Sequence, residues 1–144
     1  MALLLALVLA SHPSPSLPAS SARLSFLAGD LSTAVEWARR GVATEPEVCK
    51  PMLKALAEYA FLANHSDELT PEQARDFIKW DRVISPTVPG KLTQPVIARF
   101  VTGPLARARE MASSNAAQTK VLIERVLAVD PENAEALKLR KTLK

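Results

Sequence analysis

The chain has 144 residues, enough for one domain around one core, and dividing it would leave two marginal halves. Apolar residues at 48% and charged residues at 23% exclude disorder as the state of the whole chain. The net charge of +3 owes much to Lys138, Arg140, Lys141 and Lys144, which read first as a solvated C-terminal helix and second as a patch for nucleic acid or an anionic membrane.

In chain order, Ala2 to Ala10 is an unbroken apolar run, halted by a segment with prolines at Pro13, Pro15 and Pro18, which lack backbone donors and clash with a continuing helix. The run is far shorter than the roughly 20 residues that cross a bilayer. It suits the apolar region of a signal peptide, with Val8-Leu9-Ala10 as a small-residue cleavage pattern, yet no Lys or Arg precedes Arg23. A signal peptide or anchor, a truncated start and a short apolar helix packed on the rest all remain open. Export to the cell envelope is expected if residues 1–10 act as a signal or anchor, and a cytoplasmic location otherwise; any membrane association would run through those residues alone. The division expected is therefore a leader with a Pro/Ser linker over 1–20 and a helical domain over 21–144.

Four glycines, abundant Ala, Leu, Glu, Lys and Arg, and no stretch of period two predict an all-α fold. The periodicity predicts helices at roughly 20–28, 31–44, 48–63, 71–83, 95–113, 116–129 and 133–143, the fifth kinked or broken at Gly103-Pro104. In the third, Met52, Leu53, Leu56, Tyr59, Ala60 and Ala63 form the expected apolar stripe. Asn64-His65-Ser66 falls in a loop, where it would be a glycosylation sequon in an exported eukaryotic chain. Thr70, Pro71 and Gln73 combine an N-cap, a first-turn proline and a capping-box partner at the start of the fourth. The last helix turns polar after Leu139, as expected of a terminal cap.

Three segments recur, Ala34 to Pro46, Ala74 to Pro86 and Thr119 to Pro131, each spanning twelve positions and each with an acidic or small residue before the proline. Four places after each start stand Ala38, Ile78 and Ile123, a spacing that puts both positions on one helix face where a partner helix can approach. The stretch from Gly29 to Pro46 resembles the second helix of a tetratricopeptide repeat, and Val121 to Ala134 resembles the end of one repeat and the start of the next. Met52, Ala55-Leu56 and Tyr59 follow Pro46 where that family has its large, Leu-Gly and Tyr positions, and Leu137 follows Pro131 in the same register. The prolines stand 40 and 45 residues apart (46 to 86, and 86 to 131) against 34 in the family, so loops are lengthened near Asn64 to Leu69 and Thr87 to Pro95. Asp81 and Arg82 occupy places where the pattern has small and apolar residues.

The raw material for catalysis is thin. Cys49 is the only cysteine, which rules out an intramolecular disulfide or a thiolate cluster, and it is expected to pack in the core. His12 and His65 are the only histidines, leaving little for metal sites or histidine triads. Val88 to Thr93 has the outline of a phosphate loop but lacks its first glycine, and Leu92 stands where Ser or Thr would meet the metal. Asp67-Glu68 and Glu132 with Glu135 read as solvated charges or helix-dipole complements. Trp37 and Trp80, at helical spacing from Ala34 and Phe77, read as packing residues in preference to interface anchors. No enzyme activity, cofactor, metal or small-molecule substrate is expected.

The resemblance implies stacked antiparallel helix pairs forming a short solenoid, with a groove that binds a peptide or a partner helix. By family position that groove is lined by Lys50, Leu53, Ala57, Ala60 and Phe61. Leu53 and Ala57 replace two members of the family's carboxylate clamp, so the implied partner is a hydrophobic helix or extended segment. A non-enzymatic interaction adaptor is the expected function. Two alternatives stand beside it: a basic nucleic-acid-binding module using Arg107, Arg109, Lys138, Arg140 and Lys141, and a structural subunit that associates with copies of itself.

Overall fold

A computed structural model describes residues 17–143, so the apolar run, its cleavage pattern, His12 and Lys144 lie outside the described residues. The described residues form seven helices and no strand. They are α1 (Pro18–Leu27), α2 (Leu31–Gly41), α3 (Pro46–Ala63), α4 (Pro71–Ile84), α5 (94–111), α6 (Ala116–Val129) and α7 (Ala134–Thr142), with a single 3₁₀ turn at Ser66–Glu68.

Local chemistry starts and stops these helices. Pro18, Pro46 and Pro71 each sit in a first turn, where a missing N–H costs nothing. Asp30, Asn115 and Asn133 accept the N–H three residues on, capping α2, α6 and α7. At Thr70 the capping box is complete, with Gln73 reaching back to the Thr70 N–H at 3.0 Å. Helix α1 has no side-chain cap of its own; its Ala19 N–H is taken at 3.2 Å by the carboxylate of Glu45, which precedes α3. The α1–α2 turn closes through Gly29 at φ 85°, a left-handed conformation that favours glycine.

The observed boundaries differ from expectation in three instructive places. Helix α1 begins at Pro18, so Pro18 and Ala19, expected in the linker, belong to it, and Ala19 is buried. Helix α2 stops at Gly41, short of 44, because a turn carries the chain directly into α3, the Glu45 N–H returning to the Gly41 carbonyl. Helix α5, expected to be kinked or broken at Gly103-Pro104, runs on through that pair with a π turn in place of a break. Gln94–Ile97 and Gly103–Met111 are joined by a π turn over Ala98–Thr102 in which the Gly103 N–H bonds the Ala98 carbonyl, five residues back. Pro104 has no N–H and its ring would crowd the carbonyl four residues back; the widened turn accommodates both.

All six recurrent positions are buried: Ala34, Ala38, Ala74, Ile78, Thr119 and Ile123. Helices α1 to α3 each pack on the next in sequence, and α1 also touches α3; thereafter α4 packs on α6, α5 on α6 and α6 on α7. The centre of the core is an aromatic column from three helices. Tyr59 of α3 lies stacked on Phe77 of α4 at 4.2 Å and meets Phe26 of α1 edge-on at 4.8 Å. The stripe of α3 is turned from the one expected. Cys49, Met52, Ala55, Leu56, Tyr59 and Leu62 are buried, whereas Leu53, Ala60 and Ala63 are half-buried, because α3 is gripped by α2 and α4 and its covered face widens towards Ala55 and Leu62. Trp37 and Trp80 pack partly against the core, with Arg40 and Lys79 each 5.0 Å over the ring.

Helices approach one another closely at Gly41. A Cβ there would stand 2.3 Å from the sulfur of buried Cys49 and 2.9 Å from the Cβ of Pro18. Gly41→Ala is therefore expected to cost about 1–3 kcal/mol by overpacking, despite the better helix propensity of alanine. Urea unfolding followed by circular dichroism measures it, and an unchanged or raised midpoint would contradict the close packing described.

Candidate functional site

The residues expected to line a groove all lie on α3. Lys50, Ala57 and Phe61 are exposed and Leu53 and Ala60 half-buried, so the five share the side of α3 opposite its buried stripe. Phe61 is 64% exposed, and its ring meets that of His65 edge-on, with centroids 6.0 Å apart. None of the four principal surface depressions is lined by any of the five. The five are apolar apart from Lys50, and exposed Lys54 and Glu58 flank them, seven and three residues before Phe61.

The two residues of α4 that broke the repeat pattern have found other work. Asp81 is 2% exposed, and its Oδ2 accepts the Gly90 N–H at 2.9 Å and the Thr93 hydroxyl. Having donated its proton there, Thr93 accepts from the Tyr59 hydroxyl at 2.6 Å, so a chain of donors runs from the aromatic column to the carboxylate. Burial pushes the Asp81 carboxyl above its ordinary value, opposed by the Thr93 and Gly90 bonds and by the charge of Arg82. Burial likewise pushes the Tyr59 phenol up, the Thr93 bond opposing it. Tyr59 and Thr93 are fully covered, so this network offers no face to a substrate. It fastens the segment 85–93 to the core, where Gly90 is pressed so close to the Phe26 ring that a Cβ would stand 2.8 Å from it. The segment with the outline of a phosphate loop is thus a latch whose glycine and threonine both bond a carboxylate. Arg82 reaches the other way, forking onto both oxygens of Asp130 at 3.0 and 3.1 Å and so tying α4 to the α6–α7 turn.

A cleft that sequence reasoning did not assemble opens between the start of α4, the π turn of α5 and the end of α6, with a volume of about 290 Å³. Arg99, Arg107 and Arg125 converge on it over a floor that includes Phe100, Pro104 and Val129. Of these, only Arg107 was a candidate from sequence, because a π turn and a contact between α4 and α6 leave no mark in local periodicity. The other basic candidates are scattered and partly neutralised. Arg109 pairs with Glu135 at 2.6 Å, Arg140 stands 3.8 Å from Glu124, and Lys138 and Lys141 are exposed on α7. Among the described residues no three of His, Cys, Asp and Glu are grouped so as to hold a metal ion, and no helix is long and apolar enough to cross a membrane.

Comparison with protein-family models, with curated proteins and with solved structures finds no match to this chain.

The buried carboxyl makes stability depend on pH with a definite sign. The folded value of Asp81 lies above 3.8, so protonation favours the folded state; this contribution is fully present below the unfolded value and is lost as pH rises through the folded one. Asp81→Asn keeps an acceptor for Gly90 and Thr93 without a titration. Its urea midpoint relative to wild type is expected to climb between acid and neutral pH, whereas Asp81→Leu, which orphans the Gly90 N–H, should cost about 1–3 kcal/mol. Parallel pH profiles for Asp81→Asn and wild type would show that Asp81 is not the group responsible.

Proposed function

We propose that the chain is a non-enzymatic protein-interaction adaptor, built as a short tetratricopeptide-like stack of helix pairs. The stacking reading is supported by the burial of both recurrent positions in all three segments and by the packing of α1 on α3 and α4 on α6. It departs from a regular array at the α4–α5 step, where the latched segment 85–93 intervenes.

The observation that carries the adaptor reading is Phe61. A single exposed apolar side chain is ordinary on a protein surface. This one stands 64% exposed beside Leu53, Ala57 and Ala60, with Lys50 at the far end and exposed Lys54 and Glu58 along its other edge. Aromatic anchors flanked by apolar neighbours dominate protein interfaces, and the side chains of a helix or extended segment could cover such a strip. The nucleic-acid alternative is weakened because Arg109 and Arg140, two of its five residues, already have carboxylate partners. Self-association through the same face is the competing occupant.

Affinity capture from the native host, with the full chain as bait beside its Leu53→Asp, Phe61→Asp variant, tests the reading, with circular dichroism confirming that the variant folds. A discrete protein partner retained by wild type and reduced at least about tenfold by the variant is expected, corresponding to roughly 1.4 kcal/mol or more. Capture that is indifferent to the variant, or consists of nucleic acid or further copies of the chain alone, would overturn it.

A further inference from the structure

We infer that the cleft between α4, α5 and α6 is a second docking site, whose occupant is an acidic peptide segment with an apolar side chain set between its carboxylates. The inference rests on the adaptor reading only in taking a polypeptide as the occupant. Three guanidiniums, those of Arg99, Arg107 and Arg125, border one cavity of about 290 Å³ whose lining contains no carboxylate. None of the three belongs to an ion pair among the described residues. Arg99 is held in place, donating to the Asp67 carbonyl at 2.9 Å with its guanidinium 5.1 Å over the Phe100 ring. Arg99 and Phe100 both belong to the π turn, a widened form of helix that recurs at functional sites.

The cleft is also directional. Arg125 and Ala128 are shared with a shallower depression that runs along the outer face of α6 past Glu124 and Val121 to Ala117. From residue 117 to 128 the helix rises about 16 Å, the reach of roughly five residues of extended chain. An apolar side chain among Phe100, Pro104 and Val129 would leave flanking carboxylates beside the arginines, whose planar forks match that group in two-bond geometry. Glu124 lies on the path, and Glu132 and Glu135 follow it in sequence on the turn and helix beyond α6. A phosphodiester strand, charged at every unit, would be repelled there, whereas a peptide can place an uncharged or basic residue opposite Glu124. Charge complementarity therefore favours an acidic polypeptide over nucleic acid.

Fluorescence anisotropy with the full chain tests this, using a labelled peptide with the core Glu-Glu-Leu-Glu-Glu, its Lys-for-Glu counterpart and a labelled oligothymidylate. The acidic peptide should bind and the lysine peptide should not. Arg107→Glu with Arg125→Glu should weaken binding at least about tenfold, and the milder Arg107→Gln, Arg125→Gln pair, which leaves exposed helix positions uncharged, should weaken it by less. Lys138→Glu with Lys141→Glu, and Leu53→Asp with Phe61→Asp, should leave it unchanged. Absence of acidic-peptide binding, equal binding of the lysine peptide, tighter binding of oligothymidylate, or equal loss in the Lys138, Lys141 variant would each overturn the inference. If peptide binding fails while capture remains dependent on Leu53 and Phe61, the cleft falls and the adaptor reading stands.

Discussion

A single buried carboxylate governs how the second half of this chain is laid down. Asp81 is removed from water at a free-energy cost that its two donors, the Gly90 N–H and the Thr93 hydroxyl, must offset. In return the segment after α4 is carried back across the core to the end of α1, where the Lys91 N–H meets the Leu27 carbonyl at 3.1 Å. The Tyr59 hydroxyl joins the same chain of bonds, so the aromatic column, the latch and the start of α5 form one unit. With the chain diverted in this way, the helix that packs on α4 is α6 rather than its successor in sequence.

That diversion shapes the surface. Because α4 and α5 both rest on α6, the three helices enclose a cleft near the first turn of α4. Arg82, forked onto Asp130, holds the α6–α7 turn at one end of this arrangement, and Asn133 donates to the same carboxylate at 3.2 Å while capping α7. Elsewhere the helices approach closely at Gly41, against Cys49 and Pro18, on the helix that also buries Ala34 and Ala38. Packing is thus tight where α1, α2 and α3 converge and more open where arginines gather.

The two faces proposed for binding differ in chemistry and in origin. The outer side of α3 carries apolar residues that packing on α2 and α4 leaves exposed or half-buried, Phe61 and Leu53 among them. The cleft is cationic because a π turn just before Pro104 brings Arg99 and Phe100 to the same opening as Arg107 and Arg125. An adaptor with one face of each kind would engage an apolar segment and an acidic segment without competition between them.

Much was legible in the sequence because it depends on near neighbours. The helix start at Thr70 follows from a cap within three residues, and the recurrent pairs Ala34 with Ala38, Ala74 with Ile78 and Thr119 with Ile123 follow from the helical period. The sequence by itself therefore determined an all-helical chain, its approximate helix boundaries, and the small and apolar positions that helices would share. The roles of Asp81 and Arg82 were visible only as breaks in a pattern, since their partners lie 9, 12 and 48 residues away and nothing local points to them. That Leu62 joins the covered face of α3 while Leu53, Ala60 and Ala63 stay at its edge, that α5 continues through a π turn, and that three arginines from two helices meet around Phe100 were decided by tertiary structure alone. The physical reason is that each of these depends on which helix a given helix packs against, and here that choice was made by a buried carboxylate and a proline rather than by order along the chain.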